Sequence, residues 1–262
     1  MQFKQGGFLK MNIVTEVNDW ISMRKKMANQ TIGFIPTMGN LHAGHMSLCE
    51  RSKYENDVTI VSIFVNPTQF NNQHDLMHYP RTLENDIEQL TKAKVDYLFA
   101  PHAESMYQDH YEIQVMETEL SKVLEGEHRP GHFNGMLTIV LKLLNLVRAN
   151  KAYFGEKDYQ QLLLVKKMVA SLFLSTEIIA CETIRNENGL ALSSRNSRLD
   201  KEQLDTAEHF SALLRSHLND ENVIAELIKL GFKVDYIVQK WQRRLGAVVL
   251  GDVRLIDNVN YN

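Results

Sequence analysis

The stretch Pro36-Thr37-Met38-Gly39-Asn40-Leu41-His42-Ala43-Gly44-His45 decides how the chain reads. Before it lies an apolar run, residues 31–36, and after it a helix-like segment, residues 45–54. The first reads as a buried parallel strand and the second as the helix that follows it. The two histidines therefore sit where a strand hands over to a helix N-terminus. Such a terminus offers free N–H groups and a partial positive charge, which suits phosphate. Histidine side chains add donors there, and charge when protonated. Gly39 and Gly44 let a ligand approach the backbone closely. The pattern points to a nucleotide triphosphate at the carboxyl edge of a sheet. Zinc is the other common use of paired histidines, but the Glu of His-Glu-x-x-His is missing here.

Composition narrows the class. The chain has 262 residues, 44% hydrophobic and 23% charged, with a formal net charge of −3. That length supports one large domain or two smaller ones with real cores. No basic stripe with interleaved aromatics appears, so nucleic acid is not an expected partner. No apolar run approaches the roughly 20 residues of a membrane span. The two cysteines, Cys49 and Cys181, make no disulfide framework and read as reduced residues of a cytoplasmic protein. Residues 1–10 lack the apolar centre of a signal peptide and read as an unstructured extension.

Strand-like and helical runs alternate along the first two thirds. Strands are expected at 31–36, 58–65, 95–100, 152–155 and 177–183, and helices at 16–29, 45–54, 83–92, 133–148 and 159–172. Thr82, after Pro80, is a candidate N-cap for the third helix. In helix 133–148 the positions Met136, Ile139, Val140, Leu143, Leu144 and Val147 repeat at helical spacing, a core stripe. Alternating βα units predict an α/β fold, a Rossmann-like parallel sheet with helices on both faces. After about residue 184 the pattern changes to helices at 201–218 and 221–230 and short strands at 234–238, 247–250 and 254–256. The expected organisation is an extension (1–10), a nucleotide-binding domain (11–184) and a small α+β lid (185–262). Asn186-Glu187-Asn188-Gly189 marks the hinge.

GxGxxG and GxxxxGK[ST] are both absent, which argues against a nicotinamide enzyme or a P-loop hydrolase. Three other segments join the histidines. In Ser62-Ile63-Phe64-Val65-Asn66-Pro67-Thr68-Gln69-Phe70 a strand stops before proline and delivers Gln69 to the same edge. An amide there suits a hydroxy acid. In Phe154-Gly155-Glu156-Lys157-Asp158-Tyr159-Gln160-Gln161, Lys157 supplies a point charge for phosphate, Asp158 a cap or a ribose contact, and Gln161 lies one turn on. Ala191-Leu192-Ser193-Ser194-Arg195-Asn196 offers hydroxyls and a guanidinium suited to polyphosphate.

Taken together, PTMGxLHxGH, SIFVNPxQF, YPRTLExD, EGxxRPGHFxG, FGEKDYQQ and GLAxSSRN, in this order, resemble the pantoate–β-alanine ligase (pantothenate synthetase) family of the HIGH-motif nucleotidyltransferase superfamily. The resemblance spans residues 11–256. It implies ATP-dependent condensation of pantoate with β-alanine through a pantoyl adenylate, in a cytoplasmic homodimer. It implies that His42, His45, Lys157 and Arg195 are catalytic, with His45 as proton donor. The residues' own chemistry favours charge stabilisation for both histidines. It further implies that Met38, Gly39, Gly44, Gly155, Asp158, Ile184, Leu192, Ser193 and Ser194 join those four around ATP. Gln69, Gln161, Asn66 and His132 would form the pantoate pocket, with Gln69 also touching β-alanine. Asp86 and Gln89 would help hold Mg²⁺. Leu192 stands where the family usually has methionine, and the stretch between Val238 and Ala247 is shorter than in many relatives, which predicts a trimmed strand or hairpin of the lid. A nucleotidylyltransferase shares HxGH but would not need Gln69 and Gln161. A nucleotide-binding regulator would be expected to lack one of the four charged or imidazole groups.

Overall fold

The computed structural model describes residues 11–261, so the expected extension at 1–10 lies outside the described residues. The elements run β1 (Asn12–Val14), α1 (Val17–Lys25), β2 (Ile32–Thr37), α2 (Ala43–Glu55), β3 (Val58–Ile63), α3 (Gln73–Met77) and α4 (Leu83–Lys92). They continue β4 (Tyr97–Phe99), α5 (Ala103–Met106), α6 (Glu125–His128), α7 (His132–Val147), β5 (Lys151–Gly155), α8 (Tyr159–Ser171) and β6 (Glu177–Cys181). The C-terminal part holds α9 (Lys201–Leu214), α10 (Asp220–Lys229), β7 (Lys233–Lys240), β8 (Arg243–Leu250) and β9 (Val253–Asn260).

The first six strands pair in parallel, in the order β1-β4-β3-β2-β5-β6. Period two sorts their side chains onto two faces. Ile32 and Phe34 of β2, Val58 and Ile60 of β3, and Ala152 and Phe154 of β5 pack with Trp20 of α1 and the apolar stripes of α7 and α8. Ile35, Val61 and Tyr153 point the other way, onto Leu48 and Cys49 of α2 and Leu90 of α4. Burial on both faces explains why these strands read as continuous apolar runs. The sheet is thus an α/β doubly wound layer, as its alternating pattern predicts. The three-residue edge strand β1 escaped the sequence reading because it is too short to show a period.

The strand order reverses between β2 and β5, where both neighbours of β2 diverge. Crevices at such switch points, outside the carboxyl ends of the strands, are where open sheets bind ligands. The loop 38–42 leaves the end of β2, and the turn 156–158 leaves the end of β5.

The C-terminal part is an antiparallel sheet, β7-β8-β9, covered by α9 and α10 through Phe210, Leu214, Val223 and Leu227. Asp200 and Gln203 form a reciprocal cap on α9, and the Asn219 side chain caps α10. The region expected to trim a strand or hairpin of the lid is a full hairpin with a tight turn. Each strand is eight residues long. Lys240 pairs directly with Arg243, leaving Trp241 (φ 55°) and Gln242 (φ 58°) as a two-residue, left-handed connection.

Two local expectations also change. Thr82 occupies the N-cap of α4 without capping it, because its hydroxyl is directed to Asp86 Oδ1 at 3.2 Å. The strand before Pro67 stops at Ile63, not at Asn66. The Asn66 side chain is instead buried, donating to the Gly135 carbonyl of α7 at 3.1 Å. Gly135 sits under this turn because nothing larger fits. A Cβ there would lie 2.4 Å from the Thr68 carbonyl oxygen and 2.7 Å from the Gln69 nitrogen. Backbone cannot yield as a side-chain tip can. Gly135→Ala is therefore expected to destabilise the fold by about 1–3 kcal/mol, lowering Tm by several degrees. An unchanged Tm in a thermal melt would show that α7 and the turn move apart freely.

Candidate active site

The loop after β2 is shaped by backbone capture. Thr37 Oγ1 donates to the Ser62 carbonyl (2.8 Å) and accepts the Gly39 N–H (3.2 Å). Gly39 (φ 82°) and Asn40 (φ 49°) then turn left-handed. Asp86 of α4, wholly buried, accepts the N–H groups of Asn40 (3.0 Å) and Leu41 (2.8 Å). Gln89 donates to the Leu41 carbonyl at 3.2 Å. Asp86 and Gln89, the residues expected to help hold Mg²⁺, thus also shape the loop. Both are engaged with the loop, and no group of three or more His, Cys, Asp or Glu side chains suited to a metal occurs among the described residues.

His42 caps α2, its Nδ1 accepting the Gly44 N–H at 3.1 Å, while His45 Nδ1 accepts the His42 N–H at 3.3 Å. Each ring is thus left with its proton on Nε2. The ring centroids are 4.1 Å apart. A Cβ at position 44 would lie 2.9 Å from the His42 ring, so glycine is required. Burial, reinforced by the Lys157 charge, lowers the His42 pKa to about 4. Burial, with His42 and Lys157 nearby, lowers that of His45 to about 3. Both imidazoles are neutral donors at neutral pH.

These histidines share one cleft of about 220 Å³ with Met38, Gly155, Lys157, Gln69 and Gln161. Ile184, Leu192, Ser193, Ser194 and Arg195 line it from the C-terminal side, and Asp158 and Gly44 complete the expected set. Gly39 is not on its wall and serves the turn. The apolar floor is Met136, Ile139, Val140 and Leu143 of α7. The stripe expected to be core alone therefore also faces the cleft.

Gln69 is held from behind. Asn66 donates to its Oε1 (3.1 Å), and Tyr107 and Thr68 donate to Asn66 Oδ1 (2.7 and 3.0 Å). His132 Nδ1 meets the Gln69 carbonyl at 2.8 Å. Asn66 and His132 do not line the cleft, which corrects their placement in the pocket. They are buried supports that fix the amide in it.

The C-terminal segment lies against the cleft. Ser194 Oγ donates to the Asn40 carbonyl (2.9 Å), and Asn40 Nδ2 returns a bond to the Ser194 carbonyl (2.9 Å). Ser193 Oγ accepts the Arg195 N–H at 3.2 Å. Arg195 reaches Asp75 at 2.9 Å. The Ile184 carbonyl accepts the Leu192 N–H at 3.0 Å. From β9, Asn258 Nδ2 donates to the carbonyls of Glu156 and Lys157, both at 2.9 Å, fixing the lysine's turn. The sequence reading missed Asn40 and Asn258. An asparagine after a glycine in a tight turn is a signal for a left-handed residue. Nothing local marks Asn258.

The buried imidazoles set a pH dependence. Burial, with Arg129 nearby, lowers the His132 pKa to about 3. All three rings have folded values below the unfolded value of about 6.5, so the unfolded chain binds more protons between the two. Stability is present above pH 6.5 and is lost as pH falls toward the folded values, by up to about 1.4 kcal/mol per pH unit for each ring. His132→Gln is expected to flatten the fall of Tm between pH 6.5 and 5. Parallel curves for wild type and variant would contradict it.

A family model described as pantoate-beta-alanine ligase matches residues 10–260. Relatives named pantothenate synthetase include one from Coxiella burnetii, 49% identical over 249 residues, covering 95% of this chain and 96% of that one. Another, from Legionella pneumophila, is 50% identical over 249 residues, covering 95% and 99%. Among solved structures, the Francisella tularensis pantoate-beta-alanine ligase, complexed with beta-gamma ATP and beta-alanine, superposes with a TM-score of 0.92 at 44% identity, covering 95% of this chain and 97% of that one. The Thermus thermophilus pantothenate synthetase gives 0.86 at 38% identity, covering 96% and 100%. The chain belongs to the pantoate–β-alanine ligase family.

Proposed function

We propose that the cleft carries out the ATP-dependent condensation of pantoate with β-alanine. In the first step a pantoate carboxylate oxygen attacks the α-phosphorus of ATP. The bond from that phosphorus to the β-phosphate bridging oxygen breaks, and pyrophosphate leaves. In the second step the free amine of β-alanine attacks the acyl carbon of pantoyl adenylate. The C–O bond breaks, AMP leaves, and the amine loses a proton as the amide forms.

The observation that carries this reading is the shared cleft at the switch point, with two imidazoles and Lys157 on one wall and two glutamines on another. A carboxylate and a triphosphate repel, so the first step needs fixed positive and donor groups around the α-phosphorus. We assign the Nε2–H groups of His42 and His45, the Lys157 ammonium and the N-terminus of α2 to that task. Ser193, Ser194 and Arg195 are assigned to the outgoing phosphates. Gln69 and Gln161 are assigned to the pantoate carboxylate and hydroxyls, and the α7 floor to its methyl groups. The low proton affinity of His45 supports a hydrogen-bond donor there in place of an imidazolium acid. Mg²⁺ is assigned to the triphosphate, held mainly by phosphate oxygens and water, with Asp86 and Gln89 assigned to help hold it.

The same reading takes residues 11–184 as the nucleotide and pantoate unit and 185–262 as the lid. It takes the enzyme as a cytoplasmic homodimer, with buried free thiols at Cys49 and Cys181 in keeping with a reducing compartment. No helix among the described residues is long and apolar enough to cross a membrane.

The test is AMP formation with each substrate omitted in turn. AMP should require ATP, pantoate and β-alanine together, and pyrophosphate release should require pantoate. His45→Ala and Lys157→Ala should each lower turnover by at least ~10²-fold, the loss typical of one charge-stabilising group. Pantoate-independent pyrophosphate release would favour a nucleotidylyltransferase.

A further inference from the structure

Arg195 lines both the cleft and a second chamber of about 230 Å³ beside it. It shares the short 3-10 turn Ser194–Arg198 with Arg198. Such a turn has three residues per revolution, so the side chains of 195 and 198 leave it on the same side. Both reach one carboxylate. Asp75 Oδ2 accepts from Arg195 Nη2 at 2.9 Å, and Asp75 Oδ1 accepts from Arg198 Nη1 at 3.1 Å. Asp75 belongs to α3, which follows the Gln69 turn, so the bridge ties the parallel-sheet part of the chain to the C-terminal segment.

Asp75 and Arg198 line the chamber and are not on the wall of the cleft. Of the three, only Arg195 is on both, so Asp75 meets the cleft through Arg195. The contact engages one nitrogen of the guanidinium and leaves the rest of the fork for other acceptors. The ring of Tyr79, part of the cleft wall, has its centroid 5.9 Å from the same guanidinium and limits its swing.

A carboxylate placed so near a phosphate site would repel the phosphates if nothing offset it. Burial pushes the Asp75 carboxyl up, but Arg195, with Arg129 and Arg198, outweighs burial and holds it below the usual carboxylate range, so it is ionised at neutral pH. The side chains of Asp75, Arg195 and Arg198 are only 26, 23 and 15% exposed, so solvent screens these charges in part. Arg198 supplies the offset. Its other partner, Asp252, is 69% exposed and makes a weak, solvated pair.

We propose that Asp75 is a positioning residue that aims Arg195 at the phosphates, and that Arg198 masks the Asp75 charge so that the nucleotide is not repelled. This rests on the ligase reading above, in which Arg195 serves the outgoing phosphates. The two residues then leave different kinetic marks. Asp75 acts on the chemical step through Arg195, and Arg198 acts on nucleotide binding through Asp75.

The experiment measures pantoate-dependent pyrophosphate release, with kcat and the KM for ATP, in wild type, Arg198→Met, Asp75→Ala, Asp75→Asn and the double variant Asp75→Asn/Arg198→Met. Arg198→Met unmasks the carboxylate and should raise the KM for ATP about 2- to 5-fold, the effect of one partly screened charge. The double variant removes that charge and should bring the KM back to near the wild-type value. Asp75→Ala should lower kcat at least ~10-fold, the loss of one hydrogen bond to a charged group. Asp75→Asn keeps an accepting oxygen and should recover part of that loss. KM does not depend on the fraction of folded enzyme, so the comparison survives partial misfolding of any variant. An unchanged KM in Arg198→Met overturns the proposal, as does a KM that stays raised in the double variant. So does a wild-type kcat in Asp75→Ala, or an equal loss in the Ala and Asn variants. With wild type active, these outcomes strike only the roles of Asp75 and Arg198. A wild type that releases no pyrophosphate from ATP and pantoate would sink the ligase reading itself.

Discussion

The site depends on one buried carboxylate. Asp86 lies outside the cleft, yet both its oxygens are committed to the backbone N–H groups of Asn40 and Leu41. Those two amides belong to a left-handed turn that cannot bond to its own neighbours as a helix or strand would. Without a partner, each buried amide would cost about 1–3 kcal/mol. With Asp86 in place, the turn delivers His42 to the N-cap of α2 and His45 to its first turn, where the His45 ring accepts the His42 N–H and the His42 ring accepts that of Gly44. A Cβ at Gly39 would lie 3.0 Å from Asp86 Oδ2, which ties the glycine to the same carboxylate. Sequence gives residue 86 the look of a metal ligand because a carboxylate beside a triphosphate site invites that assignment. Its complete burial and its two backbone bonds give it a structural role as well.

A second set of charges joins the C-terminal sheet to the parallel one. Arg243 meets Glu156 at 2.7 Å, and Arg254 meets Glu125 and Asp235. Tyr236 donates to Glu125 Oε1 at 2.8 Å. Burial pushes the Glu125 carboxyl up, but the Arg254 bonds outweigh it and hold the pKa at about 2. Buried pairs of this kind add little net stability, because desolvation offsets most of the attraction. Their value is geometric. Breaking one leaves an uncompensated charge, so they penalise any other seating of the sheet. Asn258 then reaches the turn of Lys157 from a defined direction. The attachment is made at Glu125, Glu156 and Asn40, in three different segments, so the position of Arg195 and Ser194 over the cleft is fixed at several points.

The fold and much of the site were legible in the sequence for one reason. Parallel strands buried on both faces give continuous apolar runs, and residues 32–37 and 58–63 announce themselves that way. The loops that follow carry His42, Gln69, Lys157 and Arg195, and short polar loops between apolar runs are easy to see. Contacts between distant residues were not legible. Asn66 looks like a pocket residue until its amide is found donating to Gln69 and to the Gly135 carbonyl. His132 looks like a ligand contact until both ring nitrogens are found engaged, with Arg129 and with the Gln69 carbonyl. The α7 stripe looks like pure core because a helix floor under a cleft and a helix in a core have the same period. The two-residue turn at Trp241 and Gln242 hid the length of β7 and β8, since it carries no Gly or Pro to mark it in a bare sequence.

The electrostatics of the proposed chemistry follow from the same packing. If His42 and His45 were imidazolium ions beside Lys157, three positive charges would crowd one wall of the cleft. They would bind ATP and pyrophosphate tightly at every stage of the reaction. Uniform binding of that sort deepens the ground state along with the transition state and does not speed the chemical step. Burial prevents it. The rings stay neutral and present oriented Nε2–H dipoles, with Lys157 as the formal charge. Fixed dipoles need no reorganisation when charge moves from the α-phosphorus onto the departing oxygen, so their effect is concentrated where charge develops. The depressed proton affinity of the two histidines is then a consequence of the burial into which the cap geometry places them, and the same geometry gives them their use.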